Sequence, residues 1–441
     1  MKKLLALLLC LTMVLSMVAC GGGNTETQDT TPATTQGNNE PAPTETEAQS
    51  SLAGATIEVA TRLADDSLAA LKDLVAQFQE ETGVKVTLTE YSSDDYEAAM
   101  KTRMASNELP DVWETHGWSR LRYGEYLTPV NDEPWYAKQN GLAKGILEGD
   151  GGVAYGLMLD AMMNCVAVNL TKATELGIDP YSWETLDDFV ADCKVAKDAG
   201  VIPMGATANA GMLPHSAGMW TSYDDAIYQD ADAQLDGTWD WEDNMDQLEW
   251  FAGLLEAGYY WDDVSTMSGD TAKERLANGD ALCWFGHDNG LCKALHNLNP
   301  DNEFILVPFP AVKEGSGTYI AGGEGYTVGF WNETKEPEAC RAWLAFLAEN
   351  GSPMITAMPC VEGLEGDSSD YAVQVATATQ EKFPDAIYVN FWDREYMPSG
   401  MWGVYGEAAG MLCADWSEES LVKINDFLKT NYNEKYAAAH G

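Results

Sequence analysis

Apolar positions recur along the chain with two periods, and together they predict strands alternating with helices. Residues 57–60, Ile-Glu-Val-Ala, are typical of a strand, and the apolar residues of 68–78 fall at helical spacing. Gly83 marks the end of that helix, and residues 84–88 alternate between apolar and polar as a second strand does. Another helix is expected at about residues 94–105. Such alternation is typical of a largely parallel α/β sheet.

Apolar residues also fill most of the stretch from Leu157 to Val168, which predicts a strand buried on both faces. Asp160 is the only charge within it. A buried carboxylate needs a partner, because burying an unpaired charge is costly. Two interpretations of Asp160 therefore stay open: a structural carboxylate capped by protein donors, or an acceptor for a ligand's hydroxyl where the strand reaches a cleft.

The remaining patterns extend the alternation of elements to the C-terminus. A helix is predicted after Thr185, whose spacing from Asp188 suits a capping box, and Gly200 ends it. Further predicted elements are helices at 245–255, 337–349 and 421–428, a short helix and strand at 273–282, and a strand at 304–310. The sequence shows no internal repeat.

The length of the chain indicates how many domains it forms, and its strong acidity restricts the partners that it can bind. Its 441 residues, 45% of them hydrophobic, correspond to two or three domains with an ample core. The 70 acidic and 25 basic residues give a formal net charge of −45. Nucleic acids and anionic membrane surfaces should repel such a chain. A polyanionic ligand is disfavoured for the same reason, whereas neutral and cationic solutes remain open.

The N-terminus predicts export and a lipid anchor. Two lysines precede an apolar run at residues 4–18, and the sequence Met-Val-Ala before Cys20 resembles a bacterial lipobox. Residues 1–20 are therefore predicted to be a lipoprotein signal peptide with Cys20 lipidated; an ordinary secretory signal is the alternative. Residues 21–53 are poor in apolar side chains and predict a disordered tether. The sequence contains no later run of about 18 apolar residues, so it predicts no membrane span after the leader.

The cysteines do not predict a disulfide framework. Nine cysteines less Cys10 and Cys20 leave seven, an odd number with scattered spacing. Most are expected to be small buried hydrophobic residues. A single bond between Cys283 and Cys292 stays open.

Catalytic signatures are absent from the sequence. It contains no Gly-x-Ser-x-Gly, no His-Glu-x-x-His and no phosphate-binding loop. A pair of carboxylates for glycoside hydrolysis stays open, because 70 acidic residues form such pairs by chance. No cofactor is expected. The exception is a segment that partly follows a calcium-loop pattern and could bind calcium. The same segment could instead be a solvated acidic turn. The acidic residues of the pattern are Asp232, Asp236, Asp240 and Asp243.

Aromatic residues beside acids and histidines are the sequence feature that indicates binding of a neutral sugar. A neutral sugar presents apolar C–H faces that flat rings cover, and hydroxyls that Asp, Glu, Asn and His can bind. Loops after predicted strands combine both residue types. The candidate ligand-binding residues are Glu114, His116, Trp118, Asp160, Trp220, Tyr223, Trp284, His287, Asp288, Glu324, Tyr326 and Trp402.

The order of several motifs resembles the maltose-binding-protein-like extracellular solute-binding proteins. Residues 80–86 are followed by Leu-Pro-Asp-Val at 109–112, by Tyr-Gly at 155–156 with Asp160, and by Leu-Gly-Ile at 176–178. The resemblance covers nearly the whole chain after the leader. It implies an α/β fold of the type II periplasmic-binding-protein class, in which two lobes, each a mostly parallel sheet flanked by helices, meet at a hinge. The implied lobes are 54–157 with 313–356, and 158–312 with 357–441.

The same resemblance implies where a ligand would bind. In similar sugar receptors the corresponding positions contact the ligand, and here they fall on residues 114–118, Asp160, His287, Asp288 and Trp402. The resemblance puts stacking at Trp284 in doubt, because the family often places its Trp near the position of His287. Trp284 could equally belong to the core.

The expected function is that of a lipid-anchored extracellular receptor of an ABC importer that captures a carbohydrate and delivers it to membrane permease subunits. The receptor is expected to be a monomer that does not bind nucleic acid. Two alternatives stay open. One is a receptor for another solute, such as a peptide or a polyamine, and the other is a lipid-anchored glycoside hydrolase.

Overall fold

Strands and helices alternate along the chain in the computed structural model, which describes residues 52–208, 211–215, 229–242, 244–312, 318–395 and 397–440. The strands are β1 (Thr56–Thr61), β2 (Lys85–Glu90), β3 (Val112–Glu114), β4 (Leu157–Met158), β5 (Asp160–Ala161), β6 (Cys165–Asn169), β7 (Ile202–Met204), β8 (Ala281–His287), β9 (Phe304–Val307), β10 (Tyr319–Gly322), β11 (Thr327–Phe330), β12 (Met358–Pro359) and β13 (Ile387–Asn390). The helices are α1 (Asp65–Thr82), α2 (Ser93–Ser106), α3 (Gly141–Glu148), α4 (Leu170–Leu176), α5 (Leu186–Asp198), α6 (Gln229–Asp236), α7 (Met245–Glu256), α8 (Gly269–Ala277), α9 (Asn289–Leu298), α10 (Pro337–Asn350), α11 (Tyr371–Lys382), α12 (Trp392–Glu395), α13 (Met401–Ala414) and α14 (Glu418–His440).

A five-stranded sheet organises the first part of the fold. Its strand order is β2-β1-β3-β11-β4, with β1 parallel to β2 and β3, and β11 antiparallel to its neighbours. The apolar stripe predicted for α1 packs inward, since Leu71, Val75 and Phe78 are buried and Leu68 is half-buried. The ring of Phe78 meets that of Trp343 in α10 edge-on, with 5.0 Å between centroids. Burial of such apolar area, at about 25 cal/mol per Å², holds these helices on the sheet.

A four-stranded sheet organises the second part. Its strand order is β7-β8-β6-β9, with β7 parallel to β8 and β6 antiparallel to both of its neighbours. Helix α5 packs here through Phe189, whose ring lies 5.3 Å from that of Phe285 in β8. The predicted start of α5 is confirmed: the Thr185 side chain accepts from the Asp188 backbone, and the Asp188 carboxylate accepts from the Thr185 backbone.

The apolar run between Leu157 and Val168 connects the two sheets and is not one strand. It is divided into β4, which pairs with β11 of the first sheet, β5, which pairs with β12, and β6, which belongs to the second sheet. The prediction of a single buried strand is therefore wrong. Apolar composition indicates burial, but it does not reveal that the chain changes its pairing partner twice.

Two further segments pass between the sheets. The chain leaves β9 of the second sheet, runs through β10 and enters β11 of the first. After α10 it returns through β12 to α11, whose Thr379 hydroxyl donates to the carbonyl of Leu306 in β9. The predicted lobe boundaries stay a prediction.

The seven cysteines of the folded part are buried and unpaired. This confirms their interpretation as small core residues and leaves the suggested bond between Cys283 and Cys292 unformed. Their thiols contact the core: Cys283 lies 3.3 Å from the carbonyl oxygen of Pro203, and Cys292 lies 3.6 Å from that of Ile305. Among the described residues, no helix is both long and apolar enough to cross a membrane.

Candidate ligand-binding cleft

The carboxyl ends of strands from both sheets face a cavity of about 590 Å³. Arg62 follows β1 and His116 follows β3 on the side of the first sheet. On the other side, His287 ends β8, and Phe391, Asp393, Arg394 and Trp402 complete the wall. Ligands of open α/β sheets bind at such strand ends, and small-molecule pockets span about 300–1,000 Å³. The cavity therefore has the place and the size of a ligand site.

Aromatic rings form one wall of the cavity, which we call the aromatic wall: His215, Phe391 and Trp402. Trp402 lies in the first turn of α13 and is 37% exposed. Its ring centroid lies 4.8 Å from that of His215 and 5.5 Å from that of Phe391. Behind it, buried Trp392 is fixed by donating its indole N–H to the carbonyl of Pro214 at 3.0 Å. The wall thus offers apolar ring surface that is held from behind and open toward the cavity.

Charged residues also line the cavity. Arg122 donates to the carboxylate of Glu97 at 3.2 Å and to the backbone carbonyl of Asp393 at 3.0 Å. Its guanidinium also lies over the ring of Trp118, 4.6 Å from the centroid. Trp118 lines the cavity but is only 9% exposed. Any contact of Trp118 with a ligand is therefore limited to a small part of its ring.

Glu114 positions a residue that the sequence analysis did not select. Its buried carboxylate accepts from the Arg62 Nε at 3.1 Å, from the Arg62 backbone at 3.2 Å and from the Thr61 hydroxyl at 3.1 Å. These contacts hold the guanidinium of Arg62 at the cavity. Glu114 does not line the 590 Å³ cavity, although it reaches a smaller neighbouring cavity of about 180 Å³.

Glu324 fixes the loop that carries His116. Its carboxylate accepts from the Thr115 hydroxyl at 2.9 Å, from the Gly117 backbone at 3.2 Å and from the hydroxyl of Ser119. Burial raises the pKa of Glu324, although these donors favour its charged form. His116 itself has a φ of 46°, a left-handed conformation that non-glycine residues seldom adopt. The network around Glu324 maintains this unfavourable backbone conformation.

The imidazole of His116 lies between two guanidinium groups. Arg62 contacts it from one side, and the Arg394 Nη2 approaches its Nε2 at 3.1 Å. Burial, with the charges of Arg394 and Arg62, holds the pKa of His116 well below its usual range. Arg394 is anchored in turn by donating its Nη1 to the carbonyls of Gly322 and Glu324, both at 3.1 Å.

Asp160 has protein partners for both of its carboxylate oxygens. Its Oδ1 accepts from the Tyr326 backbone at 2.8 Å, and its Oδ2 accepts from the Thr356 backbone at 2.9 Å and the Ala357 backbone at 3.2 Å. Asp160 lies in one segment that connects the sheets, and its partners lie in the other two. Burial raises its pKa, whereas these donors favour the charged form. The geometry favours the structural interpretation of Asp160 over contact with a ligand, because four protein donors already match the acceptor sites of its carboxylate.

His287 and Asp288 lie at the cavity on the side of the second sheet. Asp288 caps α9 by accepting from the Leu291 backbone at 2.9 Å, and His287 lies beside it at 3.4 Å. Burial opposes the charged form of Asp288, yet His287 and the cap hold its pKa at about 2. The ring of His215 stacks on that of His287 at 5.8 Å, and burial together with the charge of His287 lowers the pKa of His215 to about 3.

Two of the candidate aromatic residues are core residues. Trp284 is 1% exposed and does not line the 590 Å³ cavity, so the core interpretation fits it better than stacking on a ligand. Tyr326 is 6% exposed and faces only the 180 Å³ cavity. Two others, Trp220 and Tyr223, lie outside the described residues.

The partial calcium pattern is only partly covered by the structure. Asp243 lies outside the described residues, and α6 includes Asp232 and Asp236, whereas a calcium loop requires an open loop there. Asp240 is exposed. Within the described part of the chain, no group of three or more His, Cys, Asp or Glu side chains could hold a metal ion.

The residues missed from the sequence are mainly basic. Arg62, Arg122 and Arg394 all line the cavity, as do His215 and Asp393. A signal was present in the order Phe-Trp-Asp-Arg at 391–394, which places two aromatic residues beside an acid and a base shortly after an apolar run. The criterion of an acid beside a ring excluded arginines, although a guanidinium donates to hydroxyls as readily as a carboxylate accepts from them.

Two α/β sheets connected by three segments, with a cavity at the strand ends between them, define a type II periplasmic-binding-protein-like receptor. This confirms the predicted fold class. The chain belongs to the bacterial extracellular solute-binding proteins, whose family model matches residues 73–357. Proteins of this kind bind solutes and are not enzymes, so the glycoside hydrolase alternative is set aside.

Relatives and solved structures agree with this assignment. The melibiose/raffinose/stachyose-binding protein MelE of Bacillus subtilis (strain 168) is 26% identical over 372 residues, which cover 80% of this chain and 84% of MelE. The binding protein MsmE of Bacillus subtilis, in an open conformation, has a TM-score of 0.79 at 24% identity over 89% of this chain and 100% of its own. A sugar transporter protein of Bacillus licheniformis in complex with stachyose has a TM-score of 0.71 at 23% identity, over 86% and 99%. The two structural likenesses establish the fold.

Proposed function

We propose that the chain is the extracellular receptor of an ABC importer for a neutral carbohydrate, which it captures in the 590 Å³ cavity. The observation that carries the proposal is that the open aromatic wall and hydrogen-bonding charged groups line the same cavity. A pyranose ring has both matching surfaces, because its C–H faces pack on an indole and its hydroxyls donate to and accept from charged side chains.

The charges that line the cavity favour an uncharged ligand. Three arginines face it, and they are matched by three carboxylates; these residues are Arg62, Arg122, Arg394, Glu97, Asp288 and Asp393. The overall charge of −45 is therefore not concentrated in the cavity. A polyamine would require carboxylates in excess of the arginines that line the cavity, so this alternative is weaker.

The relatives indicate which sugars to test first. MelE is named for melibiose, raffinose and stachyose, and the Bacillus licheniformis protein was solved with stachyose. All three are neutral oligosaccharides. We extend this class of ligand to the present chain because its cavity has the matching chemistry.

Thermal-shift and calorimetric titrations of the mature chain test the proposal. A ligand that binds only the folded state stabilises it by about 2.7 kcal/mol at a hundred times its Kd, so melibiose, raffinose or stachyose should raise the melting temperature. Spermidine and a tripeptide serve as probes of the alternative ligands. A melting temperature that rises with spermidine or the peptide, and with none of the sugars, would refute the carbohydrate assignment.

The proposal includes closure of the two lobes and delivery to a permease. The three connecting segments would act as the hinge, and a ligand that contacts both sides of the cavity stabilises the closed form. Small-angle scattering should then show a smaller radius of gyration with ligand than without. An unchanged radius at saturating ligand would contradict closure.

The lipid anchor is part of the same proposal and rests on the lipobox at Cys20. Replacement of Cys20 by Ser should move the protein from the membrane fraction to the culture medium, because the residue that carries the lipid is lost. Equal membrane retention of the variant and the wild type would refute the anchor.

A further inference from the structure

The cavity contains a group of side chains whose hydrogen-bond donors outnumber their acceptors. We call it the donor cluster: Arg62, His116 and Arg394. All three line the 590 Å³ cavity, and Arg394 is 8% exposed. Arg62 and Arg394 approach the same imidazole from two sides. The hydrogen-bonding capacity of these three side chains determines which ligand groups can bind beside them.

The donor cluster has more donors than acceptors. A neutral imidazole has one N–H and one nitrogen lone pair, and a guanidinium has five N–H groups and no acceptor. The lone pair of His116 therefore accepts from only one of the two arginines. The imidazole N–H of His116 then faces a second guanidinium, which also offers only a donor. In the part of the chain that the structure describes, the hydrogen-bond contacts of this ring are with the two guanidinium groups, and none is with an oxygen atom.

The nearby carboxylates do not supply the missing acceptor. Glu114 accepts from the Nε of Arg62, so it leaves the terminal nitrogens of Arg62 free to reach His116. Glu324 is occupied by Thr115, Gly117 and Ser119. The Nη2 of Arg394 also reaches the sulfur of Met162 at 3.5 Å, which is a weak acceptor, so an oxygen acceptor for the donor cluster would have to enter from the cavity.

The charge around the donor cluster determines the kind of acceptor. Burial lowers the pKa of Arg394, whereas the charges of Asp393 and Glu324 favour its charged form, and Glu114 forms an ion pair with Arg62. The charge of Arg122 also acts on His116 and Arg394, so three carboxylates are matched by three guanidinium groups. A ligand carboxylate would find no excess positive charge here, and an ammonium group would face donors at hydrogen-bond distance. A neutral oxygen, such as a hydroxyl, can accept from these donors and does not require an excess of positive charge.

The donor cluster is held in place before any ligand binds. Arg394 donates its Nη1 to the carbonyls of Gly322 and Glu324, and a Cβ at position 117 would lie 2.3 Å from its Cδ. The absence of a side chain at Gly117 is therefore what allows Arg394 to reach His116. Preorganised donors lose little freedom on binding, so they contribute both affinity and selectivity.

We propose that Arg62, His116 and Arg394 form a hydroxyl-recognition subsite that determines specificity by binding neutral oxygens of a sugar ring and rejecting ligands with an ammonium group at that position. This inference rests on the proposed carbohydrate function and extends it to a particular group of the ligand.

A double-mutant cycle between protein and ligand tests the subsite. Calorimetry first identifies the tightest ligand of the wild type among melibiose, raffinose and stachyose. The full set of monodeoxy analogues of that sugar is then titrated into the wild type, Arg394→Met and His116→Asn. Asn is chosen because it tolerates the left-handed backbone of His116. In the wild type we expect at least one deoxygenation to weaken binding about tenfold or more, the range of a hydrogen bond to a charged donor. In the variants that same deoxygenation should have little further effect, since contacting groups couple.

Controls separate the possible failures. Arg275→Met removes an arginine that packs on Trp261 outside this cavity, and it should leave every affinity unchanged. Circular dichroism and melting temperature establish that each variant is folded; if Arg394→Met does not fold, His116→Asn completes the cycle. A wild type that binds a sugar, with deoxygenation costs equal in wild type and variants, overturns the subsite and leaves the proposed function standing. A wild type that binds none of the three sugars overturns the proposed function and the subsite with it.

Discussion

Asp160 and His116 are both polar residues in the region between the two sheets, and they differ in how completely the protein satisfies them. The carboxylate of Asp160 accepts four hydrogen bonds from two other chain segments. The imidazole of His116 has two guanidinium neighbours and no oxygen acceptor among the described residues. A buried polar group with a full set of partners maintains the frame of the molecule. A preorganised group with an incomplete set is suited to a ligand.

The comparison predicts different consequences of mutation: a loss of stability at Asp160 and a loss of ligand affinity at His116.

The largest effect is expected for Asp160→Ala. It leaves the backbone N–H groups of Tyr326, Thr356 and Ala357 without their acceptor, and each unsatisfied buried donor costs about 1–3 kcal/mol. The free energy of unfolding, measured by urea denaturation, should fall by about 3 kcal/mol or more. Asp270→Ala is the matched control, because the side chain of Asp270 is 95% exposed. A change within about 0.5 kcal/mol at Asp160 would show that its hydrogen bonds do not hold the three segments together.

Gly117→Ala should combine both consequences. The φ of Gly117 is 85°, and an added Cβ would lie 2.3 Å from the Cδ of the anchored Arg394. Backbone strain and overpacking together should lower the free energy of unfolding by about 1–3 kcal/mol. Sugar affinity should fall as well, because Arg394 must move away from His116. Gly145→Ala is the control, since no atom lies within 4 Å of its added Cβ and the position is helical. Unchanged affinity in a folded Gly117→Ala protein would contradict the role given to Arg394.

Trp402→Ala should weaken binding without unfolding the protein. Trp402 is 37% exposed at the cavity, so its removal takes away a stacking surface together with its packing on His215 and Phe391. Sugar binding should weaken by about 1–3 kcal/mol in calorimetry. Trp416→Ala is the matched control, because Trp416 is 41% exposed and does not line this cavity. Wild-type affinity in the Trp402 variant would remove Trp402 from the site.

The sequence predicted the frame of the fold better than the chemistry of the site. The stripe of α1 and the capping box of α5 depend on neighbours a few residues apart, so local patterns were sufficient. Helix α13 was missed because it is apolar on most of its surface and shows no periodic stripe. The role of Asp160 could not be decided locally either, since its partners are more than 160 residues away in the sequence.

Sequence patterns do not reveal where one residue acts through another. Glu114 and Glu324 were selected as ligand-binding residues, yet their described contacts are with Arg62 and with the loop of residues 115–119. Long-range pairing of this kind leaves no spacing in the sequence. The arginines that these acids position were missed for the same reason.

The smallest expected effect concerns pH and His215. The pKa of His215 is about 3, because burial and the charge of His287 disfavour its charged form, while Asp288 favours it. The ordinary pKa of His is about 6.5, so between pH 6.5 and pH 3 the unfolded chain binds a proton that the folded chain does not. This histidine therefore makes the folded state less stable as the pH falls through that window. In the His215→Gln variant the free energy of unfolding should fall less steeply between pH 6.5 and pH 4 than in the wild type. The difference in slope should be smaller than that of one whole proton, because His215 is only half-buried. Asp288 has a pKa of about 2, and its stabilising effect is lost only below pH 4, so it contributes little in this window. Equal slopes for the variant and the wild type, measured by urea denaturation at each pH, would show that His215 can be protonated in the folded protein and is not a fixed neutral part of the aromatic wall.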